Sequence, residues 1–146
     1  MLIVMVDENL GLIQLDVKIV FLHGDLKEKI YMDQSNGFVV SDQEHLVYPL
    51  RKNLYGLKQA PRQWYKKFDN FIQSVCFSKS DEDHCLFTES TQDGSPIFLI
   101  IYVDIMLLFG RQAQELAKLI RQLRLKFLIK DLCPTRHILG MKISRL

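Results

Sequence analysis

The stretch IFLIIYVDIMLLFG, residues 97–110, is apolar except for one carboxylate, Asp104, near its middle. Its β-branched and aromatic side chains are typical of buried strands, and we predict one strand on each side of Asp104. The run is shorter than the roughly 20 apolar residues that span a bilayer, and a charge interrupts it. No membrane segment is therefore predicted.

Further strands are predicted on both sides of this stretch. Residues 12–22, LIQLDVKIVFL, have the nearly continuous apolar character of a buried strand, with Asp16 toward the end. Residues 84–90, HCLFTES, predict a strand that would form a meander with the two strands of residues 97–110. The closing residues 131–146 predict a turn and a short strand.

Two amphipathic helices complete the pattern. Residues 61–77 carry apolar side chains at helical spacing and start with a proline, which suits a first helical turn. Residues 112–127 show a second apolar stripe. Residues 23–53 mix turn signals with short strand-like pieces. This order predicts an α+β fold: a mostly antiparallel open sheet with both helices on one face.

Composition restricts the class of protein more than its partners. The 146 residues are 48% apolar and 25% charged, as in a globular protein with one domain, and the net charge of +2 is too small to indicate a partner. The three cysteines form no CxxC pair, which argues against a zinc site or a secreted disulfide framework. The first residues do not resemble a signal peptide. We expect an intracellular location, in cytoplasm or nucleus.

Positive charge is concentrated in two stretches. Residues 45–68 hold six lysines and arginines and no acid, and residues 111–130 hold six against a single glutamate. The two stretches would flank an anionic ligand if the fold brings them together. The other interpretation is two solvated helix faces, and charge alone does not decide between them.

The carboxylates of Asp16 and Asp104 lie in apolar surroundings, where an unpaired charge is unfavourable. Asp104 has two interpretations: it is the tip of a tight hairpin, or it is a metal ligand. A hairpin tip favours Asn-Gly or Asp-Gly, and Ile105 tolerates positive φ badly. Two carboxylates on neighbouring strands would suit Mg²⁺, which binds through one or two carboxylates plus substrate phosphates.

Five segments, distributed in order along the chain, resemble the successive motifs of the reverse transcriptase of copia-type retrotransposon polyproteins, and the resemblance extends over essentially the whole chain. They are QLDVKIVFLHGDL, LYGLKQAPRQWY, DHCLF, YVDI and ILGMKI. The resemblance implies an RNA-directed DNA polymerase that acts on an RNA or DNA template with a primer, uses deoxynucleoside triphosphates and Mg²⁺, and belongs to a larger polyprotein. It also implies a single partial domain: a polymerase palm, residues 1–22 and 54–146, and a fingers-like excursion, residues 23–53. We expect most of the fingers, and the thumb, to lie outside this chain.

The resemblance assigns roles to individual residues. Asp16 and Asp104 match catalytic, metal-binding aspartates. Phe21 matches the aromatic residue beneath the incoming sugar, where a ring excludes a ribose 2′-hydroxyl. Tyr55 and Gln59 fall in the segment that packs against the nascent base pair, and they would bind the nucleotide.

Nucleic-acid contacts are implied at two further places. Lys58 and Arg62 would contact the backbone of template or primer, although a solvated basic side chain explains Arg62 nearly as well. Gly140 and Met141 fall in ILGMKI, which resembles the segment that grips the primer strand. A plain edge strand is the alternative there.

The hairpin motif departs from the family pattern Tyr-Val-Asp-Asp, because Ile105 stands where the second aspartate is expected. An apolar side chain can neither bind nor neutralise a cation. Other departures are Ile19-Val20 for Thr-Ala, Ser35 for proline, and Cys133 for glycine. We expect polymerisation to be severely impaired. The alternatives are a non-catalytic nucleic-acid-binding remnant, or a poorly folding product of a decayed element.

Overall fold

The computed structural model describes residues 10–130 and the backbone of residues 131, 137–138 and 141–142. The chain divides into two compact units, residues 1–20 with 69–146 and residues 21–68. No helix within this described part is long and apolar enough to cross a membrane.

The described elements follow the predicted order. They are β1 (Gly11–Val17), a 3-10 turn (Val20–His23), β2 (Tyr31–Asp33), β3 (Val47–Pro49), α1 (Ala60–Ser74), β4 (Ser78–Lys79), β5 (Leu86–Ser90), β6 (Pro96–Tyr102), β7 (Ile105–Gly110), α2 (Ala113–Lys126), β8 (Ile129–Asp131), β9 (His137–Ile138) and β10 (Met141–Lys142).

A six-stranded sheet in the order β4-β5-β6-β7-β1-β8 forms the first unit. Every neighbouring pair in it is antiparallel. The predicted meander is β5-β6-β7, and β1 enters between β7 and β8. The prediction of an α+β fold with a mostly antiparallel sheet is confirmed.

Strand β1 is shorter than predicted. The apolar run continues to residue 22, but Ile19 has a φ of +47°, a left-handed conformation that ends the extended backbone. Lys18 donates its backbone N–H to the Leu128 carbonyl over 2.7 Å, and residues 20–23 then form a 3-10 turn. Hydrophobic pattern alone does not show such a turn, because the side chains on both sides of it are apolar.

Both predicted helices are present, with small differences at their ends. Helix α1 ends three residues before the predicted residue 77, because the chain closes in a Schellman motif. In it Phe77 N–H donates to the Ile72 carbonyl (3.3 Å) and Cys76 N–H to the Gln73 carbonyl (3.1 Å). Helix α2 is one residue shorter at each end than predicted.

The larger part of the core of the first unit lies against one face of the sheet, and a smaller buried cluster of Leu10, Leu107 and Phe109 lies against the other. Side chains at alternating positions along four strands are almost completely buried: Leu15, Val17, Phe87, Ile97, Leu99, Ile101, Met106 and Leu108. Helix α2 adds Leu116, Leu119 and Leu123. The Phe71 ring of α1 meets Phe127, just after α2, with centroids 5.3 Å apart. The placement of both helices on one face stays a prediction.

The second unit contains the predicted hairpin and the first part of α1. Strands β2 and β3 pair with Met32 opposite Tyr48. Trp64 is 2% exposed and Phe68 is fully buried, with ring centroids 5.7 Å apart. These two aromatic residues therefore belong to the core.

Candidate active site

The pairing of β1 with β7 brings the two sequence-predicted aspartates to one end of the sheet. In this register Asp16 lies directly opposite Ile105. The next backbone contact joins Val17 N–H to the Asp104 carbonyl over 2.7 Å. The end of β1 at Asp16 is thus next to Ile105 of β7 and to Asp104, the residue before it.

Asp104 belongs to the turn of a two-residue hairpin. Tyr102 pairs with Ile105, so Val103 and Asp104 form the tip. Val103 has a φ of +56°, whereas Asp104 does not have positive φ, which is the pattern of a type II′ turn. The interpretation of Asp104 as part of a tight hairpin is confirmed. The positive φ falls on Val103, one residue before Asp104, and Ile105 is free of that strain.

Asp16 already has a cationic partner. Its carboxylate accepts a hydrogen bond from Lys18 Nζ at 2.5 Å, and its side chain is only 17% exposed. Lys18 lies one residue past the end of β1, and the partial burial of the Asp16 carboxylate strengthens the attraction between the two charges. A divalent cation at Asp16 would therefore compete with the Lys18 ammonium. The sequence analysis did not identify Lys18, although its position two residues from Asp16 was a usable signal.

These side chains fit one Mg²⁺ better than two. Carboxylate oxygens of Asp16 and Asp104 are hard ligands of the kind Mg²⁺ prefers, and substrate phosphates would complete the shell. Ile105, beside Asp16, offers no donor for a second ion. The described residues contain no cluster of three or more histidine, cysteine, aspartate or glutamate side chains suited to a metal.

Three residues predicted to bind nucleotide lie in the second unit. Phe21 and Tyr55 form an edge-to-face pair with centroids 4.6 Å apart, and Tyr55 is 62% exposed. Gln59 Nε2 is buried and has no hydrogen-bond partner in the described part of the chain. A buried donor without a partner is unfavourable, so Gln59 is suited to meet a ligand acceptor.

The basic side chains of the second unit differ in their surroundings. Lys67 and Lys52 approach Asp25 Oδ1 at 3.0 and 3.9 Å. Lys58 and Arg62 are exposed and form no ion pair with the residues described. These two side chains remain available to an anionic partner.

Asn53 is a polar residue that the sequence analysis missed. It is fully buried, and its Nδ2 donates to the Asp25 carbonyl over 3.2 Å. Asn53 packs closely against Gly24, and only glycine allows this approach. A Cβ at residue 24 would lie 3.1 Å from Asn53 Nδ2 and 3.0 Å from the backbone nitrogen of Trp64. The turn signal His-Gly-Asp at residues 23–25 was the available clue to this close approach.

The segment predicted to grip the primer is described only in part. Gly140 lies outside the described residues. Met141 is described by its backbone, which pairs with Ile138 in the β9–β10 ladder. Strand pairing agrees with both interpretations of this segment, so the role of Gly140 and Met141 stays a prediction.

Comparisons with known proteins identify the family. A family model described as reverse transcriptase (RNA-dependent DNA polymerase) matches residues 1–146. The Pol polyprotein from transposon TNT 1-94 of Nicotiana tabacum is 51% identical over 132 residues, which cover 90% of this chain and 10% of that protein. The Pol polyprotein from transposon RE1 of Arabidopsis thaliana is 38% identical over 143 residues, covering 97% of this chain and 10% of the relative.

A yeast relative is shorter. The putative transposon Ty5-1 protein of Saccharomyces cerevisiae is 35% identical over 138 residues, 90% of this chain and 42% of its own length. This chain thus spans about a tenth of the two plant relatives and less than half of the yeast one. No solved structure matches it significantly. From the full-length family match and the shared motifs, the chain belongs to the reverse transcriptase family, in its copia-type retrotransposon branch.

Proposed function

We propose that this chain is the palm and part of the fingers of an RNA-directed DNA polymerase, and that Ile105 severely impairs its polymerisation. The observation that supports this proposal is the register of β1 and β7, in which Ile105, the residue after Asp104, lies directly opposite Asp16. The palm comprises residues 1–22 and 54–146, and the fingers-like excursion comprises residues 23–53. The polymerase works inside the cell as part of a larger polyprotein.

Asp16 and Asp104 hold the catalytic Mg²⁺ in this proposal. The ion supplies charge neutralisation at the reacting phosphates when it is bound. The two carboxylates position it at the end of the β1–β7 ladder, and Lys18 keeps Asp16 paired in its absence. Family members have a further aspartate at the position of Ile105, so this chain retains two of three carboxylates.

Phe21, Tyr55 and Gln59 bind the incoming deoxynucleoside triphosphate. The close contact between Phe21 and Tyr55 supports a shared aromatic surface for the sugar and base. The buried Gln59 Nε2 supports a hydrogen bond to a nucleotide acceptor. Because Phe21 and Tyr55 both belong to the second unit, their contact does not depend on the metal-binding residues.

Lys58 and Arg62 contact the phosphates of an RNA or DNA template with its primer, and Gly140 and Met141 hold the primer strand. The exposure of Lys58 and Arg62, and the ion pairs that occupy Lys52 and Lys67 instead, support this division of labour. A template-primer duplex offers closely spaced phosphates to such side chains.

Primer extension by the polyprotein that contains this chain tests the role of Ile105. The Ile105→Asp variant should extend a primer roughly 100-fold faster than the natural sequence, because a metal site contributes several kcal/mol of charge stabilisation and each 1.4 kcal/mol is tenfold in rate. Ile105→Asn, which has similar size but no charge, is the matched control. Measurable extension by the natural sequence, equal to that by Ile105→Asp, would refute the impairment.

A second candidate function is nucleic-acid binding without catalysis. The exposed side chains of Tyr55, Lys58 and Arg62 favour it, because aromatic stacking and phosphate contacts suffice to bind single strands. Under this hypothesis Ile105→Asp gains no primer extension, yet the chain still binds a template-primer duplex. Failure of the natural chain to fold would instead favour a decayed product.

A further inference from the structure

Lys18 is part of the proposed metal site through its contact with Asp16. Lys18 Nζ lies 2.5 Å from Asp16 Oδ2, and the Lys18 side chain is 46% exposed whereas that of Asp16 is 17% exposed. The ammonium group is thus the outer member of this ion pair. A divalent cation at the same carboxylate is repelled by the ammonium group for as long as the pair is closed.

The backbone around Lys18 is fixed, so that only its side chain is free to move. Lys18 N–H donates to the Leu128 carbonyl over 2.7 Å, and Val17 N–H donates to the Asp104 carbonyl over 2.7 Å. The Val17 side chain is buried in the core. A lysine ammonium group is carried on a flexible stem of four carbons. Lys18 Nζ can therefore leave Asp16 without any change in the backbone.

Asp104, the other proposed ligand, is not closed in this way. Its carboxylate forms no ion pair or hydrogen bond with any residue in the described part of the chain. A cation therefore meets no bound competitor at Asp104, whereas at Asp16 it competes with an ammonium group. Lys18 makes the two carboxylates unequal.

A second lysine adds positive charge beside Asp16. Lys130 of β8 lies directly opposite Asp16, on the side away from Ile105. The side chains of directly opposed residues share a face of the sheet, with Cβ atoms about 4.5–5.5 Å apart. Lys130 is exposed and forms no ion pair with the residues described. Two lysines thus balance the two carboxylates, and little excess negative charge is left to attract a free divalent cation.

We propose that Lys18 is a positioning residue that keeps Asp16 closed until a divalent cation arrives with a phosphate group, and that its ammonium group then moves from the carboxylate to that phosphate. The proposal rests on the metal site proposed for Asp16 and Asp104. Its ligand class is a triphosphate that carries a divalent cation. A free cation brings no anion to accept the displaced ammonium group, so the closed pair discriminates against it. Lys18 thereby couples the binding of cation and phosphate.

The affinity of the natural chain for Mn²⁺ alone tests the closed pair. Mn²⁺ prefers hard oxygen ligands, as Mg²⁺ does, and electron paramagnetic resonance measures the free ion. Lys18→Met should bind Mn²⁺ roughly tenfold more tightly, because no charged hydrogen bond has to be broken. The matched control is Lys118→Met, which removes the same charge from α2, where Lys118 pairs with Glu115. It should change the affinity less than twofold.

A double-mutant cycle shows whether the gain arises at Asp16. In an Asp16→Asn chain, Lys18→Met should give no gain in Mn²⁺ affinity, because the carboxylate that the ammonium group closes is absent. Mn²⁺ affinity that does not respond to Asp16→Asn would refute the metal site itself, and this proposal with it. If Asp16→Asn weakens Mn²⁺ binding but Lys18→Met leaves it unchanged, only the role of Lys18 is refuted.

Binding of deoxythymidine triphosphate with Mg²⁺ and without primer tests the second contact of Lys18. Calorimetry should show roughly tenfold weaker binding to Lys18→Met, the opposite sign to its effect on Mn²⁺. Lys18→Arg keeps the charge and should lie closer to the natural chain in both affinities. A variant that is merely misfolded would lose both affinities, and unchanged or tighter triphosphate binding by Lys18→Met would overturn the proposal. Neither measurement requires primer extension, so the result is independent of whether Ile105 impairs polymerisation.

Discussion

Four described residues other than glycine adopt left-handed backbone conformations, which side chains with a Cβ disfavour: Ile19, Asp42, Cys76 and Val103. Val103 has a φ of +56° at the hairpin tip, and Cys76 has a φ of +74° at the end of α1. The unfavourable conformation of Val103 is adjacent to Asp104, and such strain is often found at functional sites. At Cys76 the Schellman hydrogen bonds impose the conformation, and glycine is the usual residue there.

Cys76→Gly should therefore stabilise the chain. Removing the side chain relieves the left-handed strain, partly offset by the greater freedom of glycine in the unfolded state, and we expect a net gain of about 0.5–1 kcal/mol. Urea denaturation measures the free energy of unfolding. Cys76→Ala, which removes the thiol but keeps the Cβ, should show no gain, and a gain in that control would contradict the backbone explanation.

At the scale of elements, the β5–β6 hairpin is closed by hydrogen bonds to a single carboxylate. Asp93 accepts from the Thr91 hydroxyl, from Ser95 N–H at 3.1 Å and Ser95 Oγ at 3.0 Å, and from Gln112 Nε2. Gly94 follows it with a φ of +80°. Asp-Gly is a frequent turn pair because aspartate bonds to nearby backbone and glycine accepts positive φ.

These bonds make the hairpin sensitive to acid. The hydrogen bond from Thr91, followed by that from Ser95 N–H, lowers the pKa of Asp93 from 3.8 to about 2. Below pH 3.8 Asp93 takes up a proton in the unfolded chain but not in the folded chain. The stability that Asp93 contributes is therefore lost between about pH 4 and pH 2. We expect the stability advantage of the natural sequence over Asp93→Asn to shrink across this window.

Thermal denaturation at pH 4.5, 3 and 2 measures that advantage. Thr91→Val is the matched variant, because it removes the first hydrogen bond while it keeps the carboxylate, and it should move the loss of stability to higher pH. A difference between the natural sequence and Asp93→Asn that stays constant over this range would contradict the assignment.

At the scale of the whole molecule, net charge says little about binding and its distribution says more. The net charge is +2, yet Lys58 and Arg62 are exposed while Lys67 is paired with Asp25. Each side chain that contacts a phosphate releases counterions on binding, which makes affinity depend on salt.

Binding to a template-primer duplex should therefore weaken as salt rises. Lys58→Ala and Arg62→Ala should each reduce the slope of log affinity against log salt by roughly 0.9, the change expected for one phosphate contact. Lys67→Ala, which removes a paired lysine, should change the slope much less. Fluorescence anisotropy at several salt concentrations measures it, and equal effects of all three variants would contradict selective contacts.

Much of this molecule was predictable because its elements are strongly periodic. Alternating and continuous apolar runs identified β5, β6 and β7, and the spacing of Trp64, Phe68 and Ile72 identified α1. The end of β1 was not predictable in the same way, since Ile19 turns the chain without any change in hydrophobicity. The site motifs were recognisable by resemblance, but Lys18 and Asn53 were identified only from their contacts.

The sequence by itself determined the order of elements, the fold class and the family, because these follow from local periodicity and short motifs. Only the tertiary structure decided that Ile105 faces Asp16, that Lys130 lies on the other side of Asp16, and that the left-handed residue of the hairpin is Val103. The physical reason is that antiparallel register depends on pairing between distant segments. A shift of one residue would send every side chain to the opposite face.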